Sequence, residues 1–273
     1  MIRRHLHTVG TLAFAAAVAL GAGCDVKVDA GDVSFGLQHG QARDTWTRSY
    51  QVQPGGRVEI LNVNGEIVAE ASDGATVEVS AERSVSAASD EAAAALLQNI
   101  EMREESSDAR VRIETIVPRG RRIGSHKVVY HLRVPAGVHV DLRTVNGGVR
   151  LDNVGGEVRA TSTNGGVRGR VAGASLVDAR TTNGGVELEL AGALAADGRV
   201  TLTSVNGGVR LKVPADTRAN VHARCTNGRI NVADLPLAIE GEQTRRRVDG
   251  TLNGGGGRIE LQTTNGGVSI SPS

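Results

Sequence analysis

The stretch VHVDLRTVNGGVRL, residues 138–151, contains the complete structural unit of this chain. Its asparagine and two glycines separate two short runs in which apolar and polar residues alternate. Strict alternation is typical of a β-strand with one buried face, and Asn-Gly is typical of a tight turn. The stretch therefore predicts a strand, a turn and a second strand.

The same turn returns along the chain at a nearly constant interval. Complete Asn-Gly-Gly-Val copies start at Asn146-Gly147, Asn164-Gly165, Asn183-Gly184, Asn206-Gly207 and Asn265-Gly266, and looser copies start at Asn64-Gly65 and Asn227-Gly228. From Asn146 to Asn227 the steps are 18, 19, 23 and 21 residues, and the next step is 38, about two such units. A period near twenty residues is typical of stacked-repeat architectures.

Asn-Gly between alternating runs is also a strong signal for an antiparallel hairpin. Two features favour stacked coils instead. The inward parity shifts across the turn, from Val140 and Leu142 to Val149 and Leu151, and the same side-chain class recurs at the same offset in each unit. We therefore predict an all-β, single-domain parallel β-solenoid, with a meander or a sandwich as the alternative. Asn and Gly at its corners tolerate positive φ, and the second glycine lets neighbouring coils approach.

The N-terminus has the pattern of an export signal. Arg3 and Arg4 precede an apolar segment at residues 11–20, which is too short to span a bilayer. Small residues before Cys24 resemble a bacterial lipobox, so residues 1–23 are predicted to be a lipoprotein signal peptide and Cys24 the lipidation site. Residues 24–45 would be a polar tether to the membrane, and residues 46–273 the solenoid domain. Ordinary cleavage with secretion, a periplasmic location and an uncleaved anchor remain alternatives.

Composition limits the possible functions. The chain has 31 basic and 30 acidic residues and only 2% aromatics. This balance gives no basic excess for nucleic-acid binding, and the aromatic deficit argues against a groove that processes carbohydrate. The register predicts that His131, His139 and His222 face solvent. It places Cys225 at the inward position that Thr or Ser occupies in the sister repeats. We expect no catalytic residue, no metal site and no cofactor.

Two irregular segments interrupt the pattern. Residues 89–98 predict one short helix, because Ser89 can cap it and two acids follow in its first turn. This helix would cover an end or a side of the stack. A basic loop is expected at residues 119–122, and a long loop at residues 233–257 contains Arg245-Arg246-Arg247 and a glycine run.

The order of these features resembles a known family. The opening at residues 55–60, the early Asn64-Gly65, the insertion near Ala92, the Val134-Pro135 step and the closing strand before Asn265 are together similar to the bacterial "putative adhesin" family of β-strand-repeat envelope proteins. The resemblance extends from about Trp46 to the C-terminus. It implies an exported or surface-exposed β-solenoid of otherwise unknown function, and it supplies no catalytic residues.

The outward columns carry the remaining functional signal. Asp141, Arg159 and Asp178 would stack as an alternating charge ladder, with neighbouring coils about 4.8 Å apart. Arg150, Arg168 and Arg210 occupy a second column and suit either a solvated face or a shallow site for an anionic polymer, such as an envelope polysaccharide.

The first functional interpretation is a non-enzymatic envelope lipoprotein, held at the membrane by its lipid. It would act in adhesion or in structural or regulatory contacts, with polysaccharide or another envelope protein as partner. A polysaccharide-active β-helix enzyme and a self-assembling envelope scaffold remain the alternatives from other classes.

Overall fold

The computed structural model describes residues 40–117, 125–240 and 244–273. The predicted signal peptide, Cys24, most of the tether and the basic loop at 119–122 lie outside these residues. The first strand begins at Gly40, so the last six residues of the predicted tether, 40–45, already belong to the sheet. They pair in antiparallel register with residues 82–87.

The described residues form nineteen strands and one helix. All the strands belong to a single hydrogen-bonded sheet, which continues from coil to coil. The first half contains β1 Gly40–Gln51, β2 Arg57–Asn64, β3 Ile67–Ser72, β4 Thr76–Ala87, α1 Asp90–Gln98, β5 Glu101–Ser106, β6 Arg110–Ile116, β7 Ser125–Pro135, β8 His139–Asn146 and β9 Val149–Asn164. The second half contains β10 Val167–Asn183, β11 Val186–Leu190, β12 Arg199–Asn206, β13 Val209–Val213, β14 Ala219–Asn227, β15 Ile230–Val232, β16 Leu237–Ile239, β17 Arg247–Leu252, β18 Gly257–Asn265 and β19 Val268–Pro272.

Two columns of parallel strands meet at the Asn-Gly turns. The column before the turns stacks β2, β8, the second halves of β9 and β10, β12, β18 and β14. The column after the turns stacks β3, the first parts of β9 and β10, β11, β13, β19 and β15. We call them the first and second columns. The parallel pairing agrees with the predicted solenoid and excludes plain hairpins at these turns.

The stacking order differs from the sequence order at one place. Strand β18 pairs with β12 on one side and with β14 on the other. The coil of Asn265 therefore lies between those of Asn206 and Asn227, so the 38-residue step does not correspond to two coils stacked in sequence order. After β15 the chain forms β16 and β17, which pair antiparallel with each other, and β17 pairs with the outer side of β14. The chain then returns, and β18 and β19 fill the position between the coil of Asn206 and the coil of Asn227.

The interior has the predicted parity. Val140, Leu142, Val149 and Leu151 are all 2% exposed or less. Nearest the turn, the inward slot holds a hydroxyl that donates to a glycine carbonyl of the neighbouring coil at 2.6–3.0 Å. The pairs are Thr144 with Gly65, Ser162 with Gly147, Thr181 with Gly165, Ser204 with Gly184 and Thr263 with Gly207. Cys225 occupies this slot in the last coil and is 6% exposed. Each hydroxyl donates to a carbonyl at the corner, and the Gly65 carbonyl also accepts from Asn62 Nδ2 at 3.2 Å.

The turn asparagines form a continuous amide ladder. Each Nδ2 donates to the Oδ1 of the preceding coil at 2.6–2.9 Å, in the order Asn64, Asn146, Asn164, Asn183, Asn206, Asn265, Asn227. An asparagine inside the ladder therefore has two such partners, whereas Asn227 at its end has one.

The first glycine of each turn is needed because neighbouring coils approach very closely. A Cβ on Gly165 would lie 2.1 Å from the carbonyl oxygen of Gly147, and the equivalent distances at the other inner turns are 2.0–2.3 Å. The second glycine is less constrained, since a Cβ there would lie 3.0–3.4 Å from the next coil. Two turns have another residue in place of the second glycine, namely Glu66 and Arg229. These turns belong to the first and last Asn-Gly coils of the stack.

Other elements cover both ends of the stack. Strand β7 pairs parallel with β3, β4 crosses β7 in antiparallel register, and β1 pairs with β4. The predicted helix is confirmed: α1 is capped by the Ser89 hydroxyl, which accepts from the Ala92 amide at 3.2 Å, and it packs on β1 and β4. At the other end, β17 and β16 extend the first column. Within the described part of the chain, no helix is long and apolar enough to cross a membrane.

Substituting Gly165 by alanine should destabilise the protein by about 3 kcal/mol, because backbone atoms surround the new Cβ and cannot move aside. Gly192→Ala is the matched control, since a Cβ there has no neighbour within 4 Å, and it should change stability by less than about 0.5 kcal/mol. Urea unfolding gives both free energies. Equal effects would contradict the role assigned to the close approach.

The ladder predicts that the cost of losing an asparagine depends on its position. Asn183→Ala removes two amide hydrogen bonds and should cost about 1–2 kcal/mol, whereas Asn227→Ala removes one and should cost about half as much. The same unfolding measurement compares them. A larger loss for Asn227 than for Asn183 would contradict the ladder as the source of the effect.

Candidate functional site

The outer face of the first column has arginines that are held within their own strands. Arg143 bonds both carboxylate oxygens of Asp141 at 2.8 and 2.7 Å, and Arg180 bonds both oxygens of Asp178 at 2.7 and 2.9 Å. These hydrogen bonds raise the pKa of both guanidinium groups. A bidentate pair of this kind uses the planar fork of arginine fully. Arg143 and Arg180 are therefore already neutralised.

This pairing corrects one expectation. Asp141, Arg159 and Asp178 do lie in register on neighbouring coils. Arg159, however, bonds Glu157 of its own strand at 3.0 Å, and each aspartate takes the arginine two residues further along its own strand. Residues two apart on a strand share a face, so the long arginine side chain reaches its own neighbour. The charges alternate as predicted, but the ion pairs run along the strands.

The outer face of the second column is different. Arg150 and Arg168 lie side by side, followed by Glu187 and then Arg210. Arg150 and Arg168 share one carboxylate, that of Glu66, at 3.7 and 3.5 Å, and Arg210 contacts Glu187 at 2.8 Å. The three arginine side chains are 51%, 62% and 54% exposed. Arg150 and Arg168 are therefore only loosely paired, whereas Arg210 is closely paired with Glu187.

Two hollows with Arg168 in common form a groove along this face. The first has a volume of about 820 Å³ and lies between the first turns and strands β4 and β7. Its polar residues are Asn64, Glu66, Ser84, Ser86, Ser125, His126, Lys127, Asn146 and Arg168. The second has a volume of about 520 Å³ and contains Arg150, Arg168, Arg170 and Lys212 beside Asp152, Glu187 and Glu189. We call the two together the second-column groove.

Gly169 forms part of the groove floor. It pairs with Leu151 on one side and Leu188 on the other, so a large side chain is missing at this position of one coil. A Cβ on Gly169 would lie 1.9 Å from the carbonyl oxygen of Leu151, which means that the backbone itself occupies the space of a side chain. Glycine is therefore required here.

His126 ends the asparagine ladder inside the first hollow. The Oδ1 of Asn64 accepts from Asn146, so its Nδ2 is the atom that faces His126 Nε2 at 2.7 Å. An amide nitrogen can only donate, and the imidazole must therefore accept through Nε2. Burial lowers the pKa of His126, which favours this neutral form.

The other histidines named from the sequence, and Cys225, are either exposed or in contact with neighbouring residues of the fold. His131 is exposed, His139 accepts the Glu157 amide through Nδ1 at 2.8 Å, and His222 lies 2.9 Å from Asp249. Burial raises the pKa of the Cys225 thiol, so it is a poor nucleophile at neutral pH. Among the residues that the structure describes, no three His, Cys, Asp or Glu side chains converge as a metal site.

Sequence reasoning missed half of the groove. Arg170 and Lys212 stand six residues after their turn asparagines, in the next outward row of side chains on the second column. The repeat register could have identified them. Glu66 occupies the position of a glycine in sister turns. His126 and Lys127 come from β7, which reaches the first hollow only through its pairing with β4 and β3. The repeat pattern contains no signal for that contact.

Comparison with known proteins places the whole domain in one family. The sequence profile of the Toastrack DUF4097 family matches residues 24–271. The chain is also similar to solved structures at low identity. No curated protein of known sequence matches it.

Three of these structures illustrate the similarity, each over 84% of this chain. A "putative cell adhesion protein" from Clostridium sporogenes ATCC 15579 is 11% identical, with all of its chain covered and a TM-score of 0.48. A "putative adhesin" from Bacteroides fragilis NCTC 9343 is 11% identical, with 97% of its chain covered and a TM-score of 0.32. A "putative lipid binding protein" from Parabacteroides distasonis ATCC 8503 is 11% identical, with 96% covered and a TM-score of 0.23.

The environment of His126 predicts a loss of stability in acid. Its pKa is lower in the folded than in the unfolded chain, so the unfolded chain binds the proton more readily. The contribution is present above the unfolded pKa of about 6.5 and is lost as the pH falls through the interval between the two pKa values. His126→Gln keeps an acceptor without titrating and should weaken the fall in stability between pH 7.5 and 5. Unfolding curves at both pH values test this, and an unchanged pH dependence would contradict it.

Proposed function

Because the chain belongs to the Toastrack DUF4097 family, we propose that it is a non-enzymatic binding module of the bacterial cell envelope. The leader would export it, and a lipid on Cys24 would hold it at the membrane. The solenoid then presents the second-column groove to its surroundings, in adhesion or in a structural or regulatory contact. Its ligand would be an envelope polymer that carries carboxylate or phosphate groups.

One observation carries this proposal: arginines on the two outer faces differ in how tightly they are paired with carboxylates. On the first column, Arg143 and Arg180 are each closed into bidentate pairs. On the second column, Arg150 and Arg168 share one carboxylate at 3.5–3.7 Å, and Arg170 lies 3.4 Å from Glu189. Exposed pairs of this loose kind contribute little to stability, so an incoming anion can replace the carboxylate at small cost.

The spacing of the coils suits a polymer better than a small ion. Arg150 and Arg168 stand on adjacent coils about 4.8 Å apart, and Arg210 stands two coils beyond Arg168, past Glu187. A ligand with repeating charges meets several such positions at once, and the second contact then becomes intramolecular. Weak single contacts can therefore add up to useful affinity. We expect this binding to decrease as salt screens the exposed charges.

The decisive variant, called the groove variant, replaces Arg150 and Arg168 of the groove and Arg210 beside it by serine. Binding of the full chain to isolated envelope polymers, measured by co-sedimentation, should weaken by at least about tenfold, because three arginines of this face are removed. The control replaces Arg143, Arg159 and Arg180 by serine, which removes the same charge from the outer face of the first column, and should bind nearly as the parent does.

Unfolding curves establish that both variants are folded. Unchanged binding by the groove variant would overturn the proposed ligand site. An equal loss in both variants would show that net charge alone determines binding, which would also overturn it.

A further inference from the structure

The last coil of the stack concentrates arginines that the fold does not require. Five of them come from three segments: Arg224 from β14, Arg229 after the last Asn-Gly turn, and Arg245, Arg246 and Arg247 before and at the start of β17. All five are exposed. We call this surface the arginine end.

Backbone contacts bring these segments together. Arg224 and Arg247 are direct partners in the antiparallel pairing of β14 and β17. The carbonyl of Arg246 accepts from the Cys225 amide at 3.0 Å, and the carbonyl of Arg245 accepts from the Ile230 amide at 3.0 Å. The residues that carry the five side chains therefore adjoin one another around the end of the asparagine ladder.

The local sequence opposes ordinary turn and strand preferences. Thr244 and Arg247 bridge to each other, so Arg245 and Arg246 are the two corner residues of a tight turn. Such corners usually hold Gly, Asn, Asp, Pro or Ser. Like charges directly opposite on neighbouring strands are destabilising, yet Arg224 faces Arg247. Choices that lower stability without a packing gain are expected at functional sites.

Few carboxylates balance this charge. Within residues 40–117, 125–240 and 244–273, the ion pair formed by the five arginines is that of Arg247 with Asp249, which also contacts His222. Asp249 is therefore already engaged by both Arg247 and His222. The arginine end is an excess of positive charge on a chain that is nearly neutral as a whole.

Arg229 shows how the end of the stack permits this surface. In the inner coils its position is a glycine, whose Cβ would lie 3.0–3.4 Å from the next coil. Strand β15 pairs with β19 on one side, and no parallel coil of the described chain follows it on the other. A long side chain therefore fits here without disturbing a neighbour. The available position is filled by a fifth arginine.

We propose that the arginine end is a second binding surface, specific for a phosphate-bearing polymer of the envelope. Arginine presents a planar fork that matches phosphate oxygens in two hydrogen bonds, and several forks together favour a polyanion over a single anion. The surface lies nine strand steps from β1 along the second column, or roughly 43 Å at about 4.8 Å a step. Since the chain enters the domain through β1, the surface is at the end remote from the N-terminal segment. The envelope setting rests on the proposed function, but the surface is separate from the groove.

The test measures binding of the detergent-purified full chain to immobilised inorganic polyphosphate over a range of salt concentrations. The variant replaces Arg224, Arg229, Arg245 and Arg246 by serine. We expect at least about tenfold weaker binding and a smaller dependence on salt, because four phosphate contacts are lost. The matched control replaces Arg43, Arg103, Arg110 and Arg133, which lie on strands at the opposite end of the stack, and should retain binding.

The outcomes separate this inference from the proposed function. If the arginine-end variant binds polyphosphate as the parent does, or the control loses as much, the inference is overturned, and the groove variant decides the proposed function independently. If the arginine-end variant loses binding to polyphosphate while the groove variant retains it, the inference stands, and the groove proposal is decided by the binding of the groove variant to envelope polymers. Binding to vesicles of phosphatidylglycerol and phosphatidylcholine in a 1:3 ratio, without binding to polyphosphate, would overturn the polymer as ligand and indicate membrane docking.

Discussion

The approach of neighbouring coils at the Asn-Gly corner is the constraint on which the rest of the structure depends. A carbonyl oxygen of one turn lies where the Cβ of the next turn would be, so only glycine fits at the first position after asparagine. The asparagine amides then stand close enough to bond one another, and an inward hydroxyl satisfies the glycine carbonyl. Each coil is thereby locked in register with its neighbour, and a slip by one residue would expose the interior aliphatic side chains.

This register also decides where charge can act. Because equivalent positions stack, any outward position becomes a row of side chains about 4.8 Å apart. On the first column, an acid two residues before an arginine closes the pair within the strand. On the second column, Arg150 contacts Glu66 of another coil although Asp152 lies two residues further along its own strand, and Arg168 contacts the same carboxylate. The pairing of these two arginines is therefore decided by the turn residue Glu66 and not by their own strands.

The two ends of the ladder show how irregular copies of a repeat acquire functions. The inner turns need two glycines, but the terminal turns carry Glu66 and Arg229. Glu66 organises the groove arginines, and Arg229 joins the arginine end. The ladder itself ends on His126 at one side and on an exposed asparagine at the other. Departures from the repeat therefore mark the coils at which the scaffold meets other parts of the chain or the solvent.

Much of the fold could be read from the repeats, whereas only part of the site could. The parity of Val140 and Val149, the burial of Cys225 and the cap at Ser89 followed from local periodicity and capping rules, since these depend on neighbours within a few residues. The exchange in order between the coils of Asn265 and Asn227 did not, because identical turns stack equally well in either order. The reach of Arg143 to Asp141 instead of along the coils depends on side-chain length and rotamer. His126 and Lys127 reach the groove by a strand pairing that no short pattern encodes.

The sequence by itself determined the unit: which residues form strands, which face each side chain takes, and where glycine must stand, because these are consequences of local geometry repeated many times. Only the tertiary structure decided the order of the coils, the pairing of charges and the surfaces at the two ends. Those depend on which segments meet after folding, and segments far apart in the chain meet through hydrogen bonds that any compatible strand edge could make.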